Sequence, residues 1–106
     1  MFARSVSMRL KPNLKADFNK TLENDILPLL RNRKGFQDEV CLIAPDGTEA
    51  VGISLWDSRE SAAAYQKETY PEVERLLSKV IEEGTTQVKT YDVSVSTIQA
   101  VRRRTA

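Results

Sequence analysis

Residues 36–56, FQDEVCLIAPDGTEAVGISLW, predict a β-hairpin around which the rest of the architecture can be built. The turn signal is Pro45-Asp46-Gly47-Thr48, where proline presets one backbone angle and glycine accepts a positive one. The flanking runs, Phe36 to Ala44 and Glu49 to Trp56, are therefore predicted as antiparallel strands. Within the second run Val51, Ile53 and Leu55 alternate with Ala50, Gly52, Ser54 and Trp56, so the strand presents two different faces.

A strand and a helix are predicted before this hairpin. Phe2 to Leu10 alternates large apolar residues with small or polar ones, which is typical of a strand with one buried face. From Leu14 the apolar residues recur at helical spacing, with Asn13 as the expected N-cap. Pro28 lies inside this pattern and predicts a kink or a break, and Gly35 ends the segment.

A second helical region and a last strand are predicted after the hairpin. Asp57 precedes Glu60 by three residues, which is the spacing of a capping box. Tyr70-Pro71 interrupts the helix, with proline suited to the first turn of a new one. Gly84 ends the helical pattern, and alternation from Thr85 to about Ala100 predicts the closing strand.

The predicted order is strand, helix, strand, strand, helix, strand, which is the ferredoxin-like βαββαβ arrangement of the α+β class. We expect residues 1–106 to form a single domain with a frayed tail at 101–106. A four-stranded antiparallel sheet with both helices on one face leaves its other face uncovered. The hairpin has apolar residues on both faces, so we expect two copies to pack through their sheets as a homodimer.

Composition excludes several classes of function. Sixteen Lys and Arg against 15 Asp and Glu leave a net charge of +1, which favours neither a nucleic acid nor a membrane as partner. Histidine is absent, which removes His-based metal sites and Ser-His or Cys-His nucleophile pairs. The single Cys41 cannot form an internal disulfide and fits a reducing compartment. We therefore expect a cytoplasmic protein with no metal site.

Three groups of residues resemble the antibiotic biosynthesis monooxygenase-like domains of the dimeric α+β barrel superfamily: Pro28-Leu29-Leu30-Arg31, Gly35-Phe36, and Leu55-Trp56-Asp57-Ser58 with Glu60 and Tyr65. The resemblance extends from about Phe2 to Thr97. It implies a dimeric α/β barrel. Its haem-degrading branch uses a helical histidine and an asparagine on the first strand. The histidine position falls near Arg75, and the first strand has no asparagine, so haem degradation is not expected.

The resemblance implies a cofactor-independent oxidation of an aromatic or quinol-type metabolite, in a pocket between the sheet and the helices. Tyr65 and Arg75 are the candidate catalytic residues, with Arg75 stabilising a substrate anion. Candidate substrate-binding residues are Trp56, Tyr70, Ser7 and Arg9. Trp56 and Tyr65 would form an aromatic wall and Tyr70 would supply a hydrogen bond.

Each of these features also has a purely structural interpretation. Trp56 would be a core or interface aromatic, and Tyr65 and Tyr70 would pack over the sheet with hydrated hydroxyls. Arg75 would be a solvated helix residue near Glu72 and Glu74, and the Arg102-Arg103-Arg104 run a solvated tail. The alternative function is then a non-catalytic dimeric module that binds a small apolar ligand or serves a stress response.

Overall fold

The computed structural model describes residues 1–98 of the chain. Its elements are β1 (Phe2–Arg9), α1 (Lys15–Thr21), a π-helical turn (Leu22–Ile26), α2 (Leu27–Arg31), β2 (Phe36–Ile43), β3 (Glu49–Trp56), α3 (Arg59–Glu68), α4 (Tyr70–Leu77) and β4 (Gln87–Asp92). Among these described residues, no helix is long and apolar enough to cross a membrane.

The four strands form one antiparallel sheet in the order β2-β3-β1-β4. The first strand is central, since Val6 pairs with Gly52 on one side and with Val88 on the other. This topology confirms the predicted α+β ferredoxin-like fold. The hairpin is also confirmed, with β3 at the predicted bounds and β2 one residue shorter than expected.

The two sides of the sheet differ in what covers them. On the helix-facing side, Phe2, Val6 and Met8 of β1 are buried, as is Trp56 of β3, whose exposure is 0%. The other side carries Val40 and Leu42 at 49% and 53% exposure. We call this second side the open face; it is made of the outward residues of all four strands. The core therefore lies in a single layer between the sheet and the helices.

Pro28 changes the first helical segment in a specific way. A proline has no backbone N–H, and its ring collides with the carbonyl of the residue four positions earlier. The turn before it widens, so that the Leu27 N–H donates to the Leu22 carbonyl oxygen, five residues back. The expected kink is thus a π-helical turn, after which Leu27–Arg31 continues as a short α-helix.

Both predicted helix caps are wrong. Asn13 lies in a turn with φ of 63°, and Leu14 takes the N-cap position without a side-chain hydrogen bond. At the second helix the cap is Ser58, whose hydroxyl oxygen accepts from the Ser61 N–H at 3.1 Å. Asp57 is one position too early in the chain to accept that bond.

The last strand is shorter than the alternation predicts. It covers Gln87–Asp92, and residues 93–98 have no regular structure although their alternation continues. Val93 donates its N–H to the Met1 carbonyl, so pairing ends where β1 begins. The predicted frayed tail and the arginine run lie outside the described residues.

Two of the sequence groups that carry the resemblance meet in space. Gly35, with φ of 85°, accepts a hydrogen bond at its carbonyl from the Asp57 N–H at 2.8 Å. A Cβ at Gly35 would lie 2.3 Å from both Asp57 Oδ1 and Ser61 Oγ, so only glycine fits. Next to it the rings of Phe36 and Trp56 pack edge to face, with centroids 5.6 Å apart. This junction joins the start of β2 to the end of β3 and the start of α3.

We expect Trp56→Ala to lower the free energy of unfolding by about 3 to 5 kcal/mol, because the ring is fully buried and leaves a cavity. Urea denaturation followed by far-UV circular dichroism measures the change. Val95→Ala, at a position 87% exposed, is the control and should change stability by less than about 0.5 kcal/mol. A loss below about 1 kcal/mol for Trp56→Ala would contradict the core assignment.

Candidate functional site

A row of polar side chains crosses the helix-facing side of the sheet. In register from β2 to β4 it consists of Glu39, Ser54, Arg4 and Thr90. Neighbouring strands are about 4.8 Å apart, so Glu39 and Arg4 are attached about 10 Å from each other, on either side of Ser54. Ser54 is short, and a carboxylate and a guanidinium therefore face the same space above it.

Small residues on β3 create that space. Gly52 and Ser54 lie between larger side chains on β2 and β1, and a Cβ on Gly52 would come within 3.2 Å of Glu39 Oε2. Above them is a cavity of about 40 Å³ between the sheet and the helices. Its polar lining comes from Arg4, Glu39, Ser54, Tyr65 and Tyr70, and the rest is mainly apolar.

The π-helical turn forms part of the opposite wall of the cavity. Leu22 and Ile26 line it together with Phe18 of α1 and Leu30 of α2. Pro28 widens the backbone between these residues, so the turn that relieves the proline also presents two of its side chains to the cavity. The local distortion caused by Pro28 therefore contributes to the shape of the cavity.

Arg4 is the most unusual residue of the site, because its side chain is charged and only 3% of the residue is exposed. Its Nε and Nη2 both donate to Gln66 Oε1, the Nε bond being 3.0 Å long. The guanidinium carbon lies 4.1 Å from the Tyr70 ring centroid and 5.3 Å from that of Tyr65. These are cation–π distances. Within residues 1–98 no carboxylate forms an ion pair with it.

Glu39 faces the same space and is held largely in its neutral form. Burial raises the pKa of its carboxyl from 4.5 to about 8, while the charge of Arg4 acts in the opposite direction and Asp38 adds a smaller increase. The charge of the guanidinium thus affects the pKa of the carboxyl, although the two groups do not form an ion pair. A group poised near neutrality in a cavity is a candidate acid or base.

Three aromatic rings are stacked behind Arg4. Trp56 and Tyr65 have centroids 5.0 Å apart, and Tyr65 and Tyr70 are 6.1 Å apart. The Trp56 Nε1–H donates to Ser54 Oγ at 2.9 Å, which ties the ring to the floor of the cavity. Trp56 itself does not line the cavity; it supports Tyr65, which does.

The two tyrosine hydroxyls remain protonated. Burial raises the pKa of Tyr65 and of Tyr70, and the nearby Arg4 offsets part of each increase. The Tyr70 Oη is buried and has no hydrogen-bond partner among the described residues. The guanidinium of Arg4 lies over the Tyr70 ring. The hydroxyl is therefore available to a bound molecule.

Cys41 also lines the cavity, but its thiol is a poor nucleophile at neutral pH. Burial raises the pKa of its thiol to about 11, and the charge of Glu39 adds to the increase. A thiol with this pKa carries little of the nucleophilic thiolate at neutral pH. The residue acts as a small apolar lining group.

The structure brings together half of the residues that the sequence singled out. Tyr65 and Tyr70 line the cavity with Trp56 behind them, whereas Ser7, Arg9 and Arg75 lie elsewhere. Ser7 pairs with Val51 on the open face, because β1 side chains alternate and Arg4, not Ser7, has the helix-facing parity. Arg9 shares that parity with Ser7 and is exposed.

Arg75 is placed on the outside of α4. Its Nε donates to Glu72 Oε1 at 2.7 Å, and its side chain is 65% exposed. The predicted role beside a substrate anion in the cavity therefore does not match its position, and the solvated-helix interpretation does. The cation in the cavity is Arg4.

Sequence reasoning missed Arg4 and Glu39, although a signal for each was present. Arg4 is the one charged residue in the otherwise apolar series Phe2, Val6, Met8 and Leu10. Glu39 likewise shares its parity with Cys41 and Ile43. A charge on the buried parity of a strand points to a buried polar site.

A more open cleft of about 350 Å³ lies between α3 and β4. Its polar lining includes Arg4 and Gln66, and also Arg59 and Asp92, whose exposed side chains approach each other to 4.0 Å. That ion pair is highly hydrated and adds little stability. Arg4 is thus the residue shared by the cavity and the cleft.

Comparison of structures finds proteins with the same fold, whereas comparison of sequences finds no relative. No family model matches the chain, and no curated protein is detectably similar to it. Among solved structures, a monooxygenase from the gene ActVA-Orf6 of Streptomyces coelicolor, in complex with nanaomycin D, superposes with a TM-score of 0.75 at 16% identity, covering 92% of this chain and 90% of that one.

Two further structures give the same result. SnoaB, a cofactor-independent oxygenase from Streptomyces nogalater, has a TM-score of 0.74 at 11% identity, over 91% of this chain and 95% of its own. A protein of unknown function from Nitrosomonas europaea has a TM-score of 0.73 at 14% identity, over 92% of each chain. At these identities the likeness shows a shared fold, and it confirms the antibiotic biosynthesis monooxygenase-like architecture expected from the sequence.

We expect Glu39→Gln to stabilise the protein increasingly as pH rises. Unfolded Glu39 ionises near its ordinary pKa of 4.5 and folded Glu39 only near 8, so the wild type loses stability between these values. The neutral amide removes that loss. The difference in unfolding free energy should grow by about 1 to 3 kcal/mol between pH 5 and pH 9, less than the full shift implies because the side chain keeps some contact with water.

Urea denaturation at a series of pH values measures this difference. Glu49→Gln, at an exposed position on β3, is the matched control and should give a curve parallel to that of the wild type. A Glu39→Gln curve that also runs parallel to the wild type would show that Glu39 titrates normally in the folded protein.

Proposed function

We propose that this chain, which has the fold of the antibiotic biosynthesis monooxygenase-like proteins, catalyses the cofactor-independent oxidation of a small phenol or quinol. The observation that carries the proposal is the buried Arg4 guanidinium facing a mainly apolar cavity between the sheet and the helices. Apolar surroundings with a few converging polar groups are typical of small-molecule sites.

The reaction needs little from the protein beyond binding and charge stabilisation. An ionised phenol can itself pass an electron to dioxygen; one oxygen atom then enters the ring and the other leaves as water, so that a phenol and dioxygen become a quinone and water. Arg4 stabilises the phenolate, and a fixed charge in a dry site does so more strongly than water would. Tyr65, supported by Trp56, holds the ring, and Tyr70 supplies a hydroxyl to the bound molecule.

The volume of the cavity restricts the substrate. A cavity of about 40 Å³ holds a few water molecules, whereas an apolar cavity of about 150 Å³ is needed to hold benzene. A single aromatic ring therefore enters only if flexible lining side chains such as Met8 and Leu22 move aside. We accordingly propose a one-ring substrate.

The mainly apolar lining of the cavity also supports a second function, a non-catalytic module that binds a small apolar ligand. Both functions place the ligand in the same cavity. They differ in whether oxygen is consumed once the ligand is bound.

We further propose that the open face is covered by a second copy of the chain. Val40, Leu42 and Tyr91 are each about half exposed there. Ile53 of β3 pairs with Val40 of β2 and lies on the same face. A two-fold dimer buries the same surface of both copies, so each apolar face would cover the other. Two sheets packed face to face keep their strands roughly aligned. Because the open face is on the side of the sheet away from the cavity, dimerisation leaves the cavity accessible.

We expect Arg4→Met to reduce oxygen uptake by about 100-fold or more, since removing a group that stabilises developing charge in a dry site has effects of this size. Oxygen uptake is measured with a panel of one-ring phenols and quinols, without added metal or flavin, after subtraction of the protein-free rate. Arg31→Met, at an exposed position on α2, is the matched control and should keep wild-type activity.

Arg75→Met tests the sequence-based assignment directly. A loss of activity in Arg75→Met with full activity in Arg4→Met would reverse the proposed roles of the two arginines. Ligand binding without oxygen uptake across the whole panel would favour the non-catalytic module.

We expect Leu42→Asp to shift the protein from dimer to monomer, because it places a charge among the apolar side chains of the open face. Sedimentation velocity at micromolar concentration measures the change. Ala63→Asp adds the same carboxylate to an exposed position on α3 and should leave the dimer intact. A wild-type protein that is monomeric under these conditions would rule out the proposed dimer.

A further inference from the structure

The carboxyl group of Glu39 is a polar group that the proposed function does not yet use. It reaches over Gly52 into the cavity, where its Oε2 would be 3.2 Å from a Cβ at that glycine. Within residues 1–98 it accepts no hydrogen bond and forms no ion pair. It shares the cavity with the unpartnered hydroxyl of Tyr70 and with the guanidinium of Arg4.

We propose that Glu39 is the proton acceptor of the site and that the hydroxyl of a phenolic ligand binds above Ser54, between Glu39 and Arg4. This inference rests on the proposed function in taking a phenol as the ligand, but it does not depend on turnover. Glu39 receives the hydroxyl proton, the bonding electron pair stays on the phenolic oxygen, and that oxygen turns toward Arg4. No co-reactant is needed for this step.

The position of Glu39 explains why the carboxyl and the guanidinium do not neutralise each other in the free protein. Ser54 separates them by a strand, so each is left with unused capacity directed at the same space. An ion pair would have occupied both groups. A ligand oxygen between them satisfies the carboxyl as an acceptor and the guanidinium as a donor, which are charge-assisted contacts on both sides.

The surroundings of Glu39 set the pH at which it can accept a proton. Arg4 of β1 and Asp38 of β2 act on the pKa of Glu39. The other titratable groups around it are Cys41 of β2, Tyr65 of α3 and Tyr70 of α4. Of these only Arg4 favours the carboxylate, and burial opposes it, so that the pKa is about 8. Proton acceptance therefore becomes effective as pH rises through this value.

The first experiment measures the affinity for phenol itself by calorimetry between pH 6.5 and pH 9.5. We expect wild-type affinity to increase about tenfold through pH 8, because a carboxylate accepts a stronger hydrogen bond than a neutral acid. Glu39→Gln should bind phenol with no such increase. Glu49→Gln, the matched control at the exposed first residue of β3, should follow the wild type. Circular dichroism confirms that each variant is folded.

The second experiment measures kcat/KM for oxygen uptake over the same pH range with the best substrate of the panel. We expect the wild-type profile to rise through about pH 8 and the Glu39→Gln profile to be at least about 100-fold lower and without that inflection. Arg4→Met should instead lose rate and keep an inflection, displaced to higher pH because Arg4 favours the Glu39 carboxylate. This result separates the proton acceptor from the group that stabilises the anion.

The outcomes distinguish the two proposals. Affinity that rises with pH in the wild type but not in Glu39→Gln, with no oxygen uptake, would support the role of Glu39 and overturn the oxidation. Oxygen uptake with the same rate and pH profile in Glu39→Gln as in the wild type would overturn the role of Glu39 alone. Failure of the folded wild-type protein to bind phenol at any pH would overturn both.

Discussion

The burial of the Arg4 guanidinium is the constraint on which the rest of the site depends. A charge inside a protein is costly unless other groups compensate for it, and no carboxylate among the described residues contacts this one. Gln66 supplies an acceptor, and the faces of Tyr65 and Tyr70 supply electron-rich surfaces. These contacts with the cation hold α3 and α4 against β1, in addition to apolar packing.

The cavity exists because side-chain size changes across the sheet. Gly52 and Ser54 are too small to fill the space beneath the helices, and their neighbours on β2 and β1 carry a carboxyl and a guanidinium at opposite sides of that space. The widened turn that precedes Pro28 completes the opposite wall. Two unrelated local features, a pair of small residues on a strand and a proline in a helix, therefore combine to form one site.

The two sides of the sheet have separate roles. The helix-facing side holds the core, the aromatic stack and the cavity, while the open face carries apolar side chains that remain half exposed in a single chain. Strand alternation alone produces this separation, because adjacent residues point to opposite sides. A partner on the open face and a ligand on the helix-facing side can therefore bind without competing for the same residues.

Much of the fold could be predicted from the sequence, because it rests on local patterns. The turn at Pro45–Thr48 and the alternation in Glu49–Trp56 define the hairpin, and the change of period at Leu14 defines the first helix. The helix caps and the end of β4 could not be predicted in this way. Whether Ser58 or Asp57 caps a helix, and where β4 stops pairing, depends on how the chain enters the helix and where β1 begins.

The candidate site divides along the same line. The sequence by itself was enough to identify the aromatic residues of the site, since Trp56, Tyr65 and Tyr70 are large and few. It also contained a signal for Arg4, a charged residue at a position of β1 whose neighbours in the alternation are apolar. Only the tertiary structure decided that Arg4 and Glu39 face one cavity while Arg75 points to solvent. The reason is that strand register, which brings residues 4, 39 and 54 into one row, is a contact between distant parts of the chain, and residue spacing within one segment does not contain it.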